Sequence, residues 1–247
     1  MSSRPRIVPL HTPTYAAAHL YCFTPAGSGP SAYRSWAALL PDDIRLSAIL
    51  LPGHENHPTR LPHTNPDVLA RDIAILINTA RDEKAAFFGH SVGALLAFET
   101  TRHLSAADRP LPVLLALSGL PAVHHEKLHE NMRTVVYDGV GQRPDMAPFR
   151  PDNNPGPEAN AFYAAALADT LLVLNYRYRD EPRLEVPFAL YAGQDDTLVT
   201  YEALAAWSDH TLHRAEPRFF PGDHYYLVDS APALVKQLVH DIREAVA

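Results

Sequence analysis

Short apolar runs alternate along this chain with segments whose apolar residues recur at helical spacing. That alternation is the pattern of a mostly parallel sheet covered by helices on both faces, an α/β architecture. Strands are expected over 18–23, 45–51, 85–89, 113–118, 188–192 and 218–220. Between them the spacing predicts helices over 31–40, with Tyr33, Trp36, Ala37 and Leu40 on one face, and over 67–80, with Leu69, Ile73, Leu76 and Ile77. Further helices are expected over 92–104, 201–208 and 232–246, the last with Leu234, Leu238 and Ile242 as its apolar stripe.

Residues 120–179 break this rhythm. A stretch rich in Pro, Asn and Asp at 144–157 precedes an alanine-rich helical run at 159–174. An insertion of this length after a strand commonly forms a lid or pocket wall. The expectation is therefore one domain, 1–247, with a helical lid insertion over about 121–178, since neither flank holds enough elements for a domain of its own.

Composition narrows the function classes. A formal charge of -7 argues against nucleic acid or an anionic membrane as the main partner. The chain has no run of about 18 apolar residues to span a membrane, and Pro9, His11 and Pro13 break the apolar stretch that would make the basic start a signal peptide. The single Cys22, among apolar neighbours, excludes an internal disulfide and reads as a buried thiol. A monomeric protein of the cytoplasm is expected.

The chemistry begins at 87–96, where an apolar strand runs through Gly89-His90-Ser91-Val92-Gly93 into a helix. This is the form of a nucleophile elbow, a tight strand-to-helix turn that exposes a Ser hydroxyl above a sheet. A serine is a weak nucleophile until a His base and an orienting carboxylate accompany it. Asp196 follows the strand at 188–192 in an acidic turn, with Asp195 the fallback, and His224 follows the strand at 218–220 in a glycine turn. Asp223, beside it, is read as stabilising that turn. Ser, Asp, His is the chain order of the α/β-hydrolases. Oxyanion donors are expected from the backbone N–H groups of Val92, at the helix start, and of Ala26, in the glycine-rich loop after the first strand.

With these motifs the chain resembles the type II thioesterases of nonribosomal peptide and polyketide assembly lines. The likeness rests on Cys22-Phe23-Thr24-Pro25-Ala26-Gly27-Ser28, Trp36, the Leu51-Pro52-Gly53 turn, the elbow and Phe220-Pro221-Gly222-Asp223-His224-Tyr225-Tyr226-Leu227. It implies an α/β-hydrolase fold and hydrolysis of acyl thioesters on the phosphopantetheine arm of acyl or peptidyl carrier protein domains. It implies no metal and no bound cofactor. Departures from the family pattern fall at Pro25, in place of His, and at His54, in place of the Arg of a Pro-Gly-Arg turn. A general serine esterase or acyltransferase on small esters is the alternative.

One motif argues for another class. His125-Glu126-Lys127-Leu128-His129 fits the zinc-protease pattern H-E-x-x-H. It lies in the expected lid, without the apolar helix that buries such a site, in a chain of 14 His. A solvated lid helix is the expected reading, and His54, Glu55 and His57 are expected on a loop surface or pocket rim.

Overall fold

A computed structural model describes residues 4–55, 61–77, 84–137 and 157–247. Every expected strand is present: β2 (Ala18–Phe23), β3 (Ile44–Leu50), β4 (Lys84–His90), β5 (Leu114–Ser118), β6 (Phe188–Gly193) and β7 (Pro217–Phe220). An additional strand, β1 (Arg6–His11), pairs antiparallel with β3 at the edge of the sheet. Proline, which lacks an N–H, is tolerated at such an edge, and the register shifts between Pro9 and His11. The sheet order is β1-β3-β2-β4-β5-β6-β7, and all pairs but the first are parallel.

The helices differ in detail from their expected form. The segment after β2 is a 3₁₀ helix, Pro30–Ala38, which still buries Tyr33 and Trp36 beneath the sheet. Helix α1 (Pro66–Leu76) starts on Asn65, whose side chain accepts the Val68 N–H at 3.1 Å. The expected residues 78–80 of this helix lie outside the described residues. Helix α2 spans Val92–Ala106. The expected 201–208 helix divides into α5 (Tyr201–Ala205) and a 3₁₀ turn, Ala206–His210. A four-residue α6 (Tyr226–Asp229) precedes α7 (Ala231–Val246).

Between β5 and β6 run α3 (Lys127–Tyr137) and α4 (Pro157–Asn175). The stretch 138–156, including most of the Pro-rich 144–157, lies outside the described residues. Apolar side chains fill both faces of the sheet, Phe87, Leu95 and Trp207 on one and Trp36, Phe88 and Leu238 on the other. Full burial of each such side chain contributes about 1.5–3 kcal/mol before entropy is counted.

Parallel register aligns the carboxyl ends of the strands. Phe23 stands opposite Gly89, His90 opposite Ser118, Ser118 opposite Tyr191 and Gly193 opposite Phe220. The loops carrying Ala26, Ser91, Asp196 and His224 therefore leave the sheet along one edge, where open α/β sheets bind ligands.

Candidate active site

Ser91 is the single residue between β4 and α2, and its backbone sits at φ 55°, ψ -122°. A left-handed φ in a residue other than glycine costs on the order of 1–3 kcal/mol and persists only when neighbours impose it. Here the Ser91 N–H donates to the Ser118 carbonyl at 2.8 Å, and the Ser91 carbonyl accepts from the Ala94 N–H at 2.8 Å. The flanking glycines are required by space: a Cβ on Gly89 would lie 2.2 Å from the Gly93 oxygen, and one on Gly93 would lie 2.3 Å from the Phe23 oxygen. Val92 opens α2, so its N–H has no intrahelical acceptor and points from the helix N-terminus.

Two loops joined by backbone hydrogen bonds bring the carboxylate to the imidazole. The Gln194 N–H donates to the Phe220 carbonyl at 2.8 Å and the Asp195 N–H to the Gly222 carbonyl at 2.9 Å. Asp195 itself stays exposed. Asp196 turns inward, its side chain 0% exposed, and its Oδ2 accepts from His224 Nδ1 at 2.8 Å. A carboxylate only accepts, so the Nδ1 nitrogen carries the proton and Nε2 of the neutral ring is left as a base. The other oxygen, Oδ1, accepts the Leu198 N–H at 2.8 Å, which fixes the carboxylate plane. Asp223 holds the turn by accepting the Tyr225 N–H at 2.9 Å.

Beneath this pair lies a polar layer that the motifs did not reveal. His90 Nδ1 meets Ser118 Oγ at 2.8 Å, and Ser118 Oγ meets the Tyr226 hydroxyl at 2.8 Å. All three residues are buried. The His90 ring lies 4.9 Å from that of His224, centroid to centroid. Burial, with His224 beside it, drives the His90 pKa well below the ordinary histidine value, so the layer stays uncharged. Gly119, at φ +61°, closes the gap: a Cβ there would lie 2.5 Å from His90 Cε1 and 3.3 Å from His224 Cε1.

The loop after β2 carries Ala26, half-buried, and its N–H makes no backbone hydrogen bond among the described residues. The next N–H, that of Gly27, donates to Asp169 Oδ2 on α4 at 2.8 Å. The same oxygen takes His54 Nε2 at 2.7 Å, and His54 Nδ1 contacts the Pro52 carbonyl at 3.1 Å. His54 is thus buried, not on a loop surface or pocket rim, because a carboxylate 115 residues away receives it. Glu55 accepts the Ser31 N–H at 2.9 Å, while His57 lies outside the described residues. Neither His54 nor Asp169 carries a local motif that sequence reading singles out for this pairing.

The H-E-x-x-H residues do not share one helix face. His125 and Glu126 precede α3, and His125 Nδ1 accepts the Lys127 N–H at 3.2 Å. His129 Nε2 donates to the Tyr176 carbonyl at 3.1 Å. Among the described residues the one cluster with metal-ligand spacing is His240, Asp241 and Glu244 on α7, where Asp241 is already engaged by Arg218 at 2.7 Å. Cys22 is fully buried and its thiol pKa is raised by desolvation, as a structural thiol requires. No helix among the described residues is long and apolar enough to cross a membrane.

Residues 18–242 match the family model for the thioesterase domain. The gramicidin S biosynthesis protein GrsT of Aneurinibacillus migulanus is 28% identical over 238 residues, covering 94% of this chain and 91% of that protein. The structure of RedJ, a thioesterase from the prodiginine biosynthetic pathway in Streptomyces coelicolor, superimposes with a TM-score of 0.79 at 27% identity over 93% of this chain and 87% of that one. YbtT, a type II thioesterase from the yersiniabactin NRPS/PKS pathway, gives a TM-score of 0.78 at 26% identity over 98% and 99% of the two chains.

Proposed function

Since this chain belongs to the thioesterase family, as a type II thioesterase and serine hydrolase of the α/β-hydrolase superfamily, we propose that it edits nonribosomal peptide or polyketide assembly lines by cleaving acyl thioesters through an acyl-enzyme on Ser91. Type II thioesterases act on carrier-protein-bound substrates. The partner of this chain is then an acyl or peptidyl carrier protein domain, met in the cytoplasm by a monomeric enzyme. The observation that carries the reading is the strained Ser91 turn standing on the same sheet edge as a buried Asp196–His224 hydrogen bond of 2.8 Å.

In this mechanism Nε2 of His224 removes the Ser91 hydroxyl proton as Oγ attacks the thioester carbonyl. Asp196 keeps the proton on Nδ1 and stabilises the imidazolium that forms. Negative charge developing on the carbonyl oxygen is met by the N–H groups of Val92 and Ala26. Donors fixed before the reaction need no reorganisation during it, which is why such groups contribute several kcal/mol. The tetrahedral intermediate collapses, and His224 returns the proton to the departing phosphopantetheine sulfur. Water, deprotonated by the same imidazole, then attacks the Ser91 ester, and His224 returns that proton to Ser91 Oγ as the Oγ–acyl bond breaks and the free acid leaves. The residues of this site supply every proton transfer without a metal or cofactor.

The lid over this chemistry is proposed to be the 121–178 insertion, of which α3 and α4 are described. The test is mass spectrometry of a panel of acyl-carrier proteins incubated with the protein and with Ser91→Ala. Loss of the acyl group from the carrier with wild type alone supports the reading. A kcat/KM as high for a free small ester as for the carrier thioester of the same acyl group points instead to a general esterase.

A further inference from the structure

Asp169 sits on α4, in the insertion, yet it grips the loop that carries the Ala26 N–H. Its Oδ2 accepts two donors at once, the Gly27 N–H at 2.8 Å and His54 Nε2 at 2.7 Å, with both side chains 1% exposed. The acceptors facing the two ring nitrogens of His54 are the Asp169 carboxylate and the Pro52 carbonyl, at 2.7 and 3.1 Å. Neither has a proton to give when the carboxylate is ionised, so both ring nitrogens donate and His54 is an imidazolium. Its pKa is accordingly raised by Asp169 against the opposing effect of burial.

The loop has little freedom around this grip. Gly27 adopts φ +73°, and a Cβ there would lie 2.9 Å from Ala166 Cβ and 3.0 Å from the Phe162 ring, both on α4. Displacing the Gly27 amide rotates the peptide group next to Ala26, because consecutive peptide planes share a Cα. An oxyanion donor works only within a few tenths of an ångström of its position, at 2.7–3.1 Å from the developing charge. Nothing else among the described residues binds the Gly27 N–H.

We propose that the buried His54–Asp169 ion pair is a positioning device that ties the oxyanion loop to helix α4 and the Pro52–His54 turn, holding the Ala26 N–H where the transition state needs it. The inference rests on the Ser91 reading above and adds to it two residues that never touch substrate. The positive charge of the His54 ring balances the negative charge of the Asp169 carboxylate; Asp169 supplies the acceptor that fixes Gly27. Loosening the pair lowers transition-state stabilisation and leaves ground-state binding of the acyl chain untouched.

The experiment compares wild type with Asp169→Asn, which is nearly isosteric, and Asp169→Leu, which removes the acceptor. Steady-state kinetics on an acyl-pantetheine thioester are combined with two inhibitors of the same acyl chain. One is a trifluoromethyl ketone that becomes tetrahedral in the site; the other is an inert thioether. Asp169→Leu is expected to lower kcat about 10–100-fold, less than outright loss of an oxyanion donor, with KM within about twofold. Ketone affinity falls by a similar factor and thioether affinity does not change. Asp169→Asn gives the same signature at smaller amplitude, and it carries the test if the leucine variant does not fold. The double variant His54→Gln with Asp169→Asn, a neutral hydrogen-bonded pair, recovers most of kcat. The proposal is overturned if kcat survives in both single variants, or if both inhibitors weaken together, or if the folded double variant recovers nothing. Ser91→Ala runs alongside: full activity there removes the underlying reading, whereas an inactive Ser91→Ala beside fully active Asp169 variants removes only this inference.

Discussion

Replacing Asp196 by Asn changes one atom and, because of Leu198, leaves that atom little choice of position. The Leu198 N–H needs an acceptor at Oδ1, 2.8 Å away, so the amide places its oxygen there and its NH₂ against His224 Nδ1. A donor facing Nδ1 demands a lone pair on that nitrogen, which moves the ring proton to Nε2. The ring is then protonated at the position that must take the Ser91 proton. The opposite amide orientation restores the tautomer but leaves the buried Leu198 N–H unsatisfied, a penalty of about 1–3 kcal/mol. In either orientation the imidazolium loses its charged partner, worth about 1.5–3 kcal/mol for a hydrogen bond to a charged group. With about 1.4 kcal/mol per decade, these two effects give a loss of about 10²–10⁴ in kcat, the upper end matching the drop known for triads altered in this way. The assay is steady-state hydrolysis of an acyl-carrier thioester with KM monitored separately, and Asp195→Asn as the exposed control. KM is expected to hold within about threefold, since Asp196 acts through His224. Asp196→Asn activity within tenfold of wild type, or a larger loss in Asp195→Asn, would refute the tautomer argument.

Gly93→Ala forces a Cβ to within 2.3 Å of the Phe23 oxygen; backbone must shift, and urea denaturation is expected to show about 1–3 kcal/mol lost, with an unchanged midpoint contradicting the elbow packing. His19 has its pKa lowered to about 4 by burial, with Arg45 adding to the effect. The unfolded chain therefore takes up this proton near pH 6.5 while the folded protein does not, so the site destabilises as pH falls. From pH 7 to 5 its share is about 2 kcal/mol, and His210, also lowered to about 4, acts in the same sense. His54, with a raised pKa, works oppositely: its contribution is complete below the unfolded pKa and is lost as pH rises through the folded one. Denaturation midpoints between pH 7 and 5 in wild type and His19→Gln separate these terms, the variant showing the shallower acid loss. Treatment with a zinc chelator, and His125→Ala, are expected to leave thioester hydrolysis within about twofold, since His125 is engaged with the start of α3 and His129 with the Tyr176 carbonyl; loss of activity on chelation would return the metal reading.

The site was legible where its information is local. Ser91 follows β4 directly, and Asp196 and His224 stand in the turns after β6 and β7, where glycines announce tight turns. Chain order alone therefore put the three forward as one candidate triad, of which the structure pairs Asp196 with His224. The edge strand β1 escaped because Pro9 reads as a strand breaker, and only its place at the margin of the sheet makes proline acceptable there. The spacing of Tyr33 and Trp36 announced a helix without revealing that it is 3₁₀, since both helix types bury residues three apart. His54 looked like part of a polar loop because the carboxylate that buries it is 115 residues away on α4. His90, Ser118 and Tyr226 come from three separate elements and meet only through the strand register that sets His90 opposite Ser118. What stayed hidden was long-range pairing of polar groups, which leaves no periodic trace.

The central claim is that Ser91 carries the acyl group. Rapid quenching of the protein with an excess of acyl-carrier thioester, followed by digestion and peptide mass spectrometry, reads this directly. The expected result is an acyl adduct on the peptide containing Ser91, absent from Ser91→Ala together with turnover. An adduct confined to another residue such as Ser118, or hydrolysis undiminished in Ser91→Ala, would contradict it.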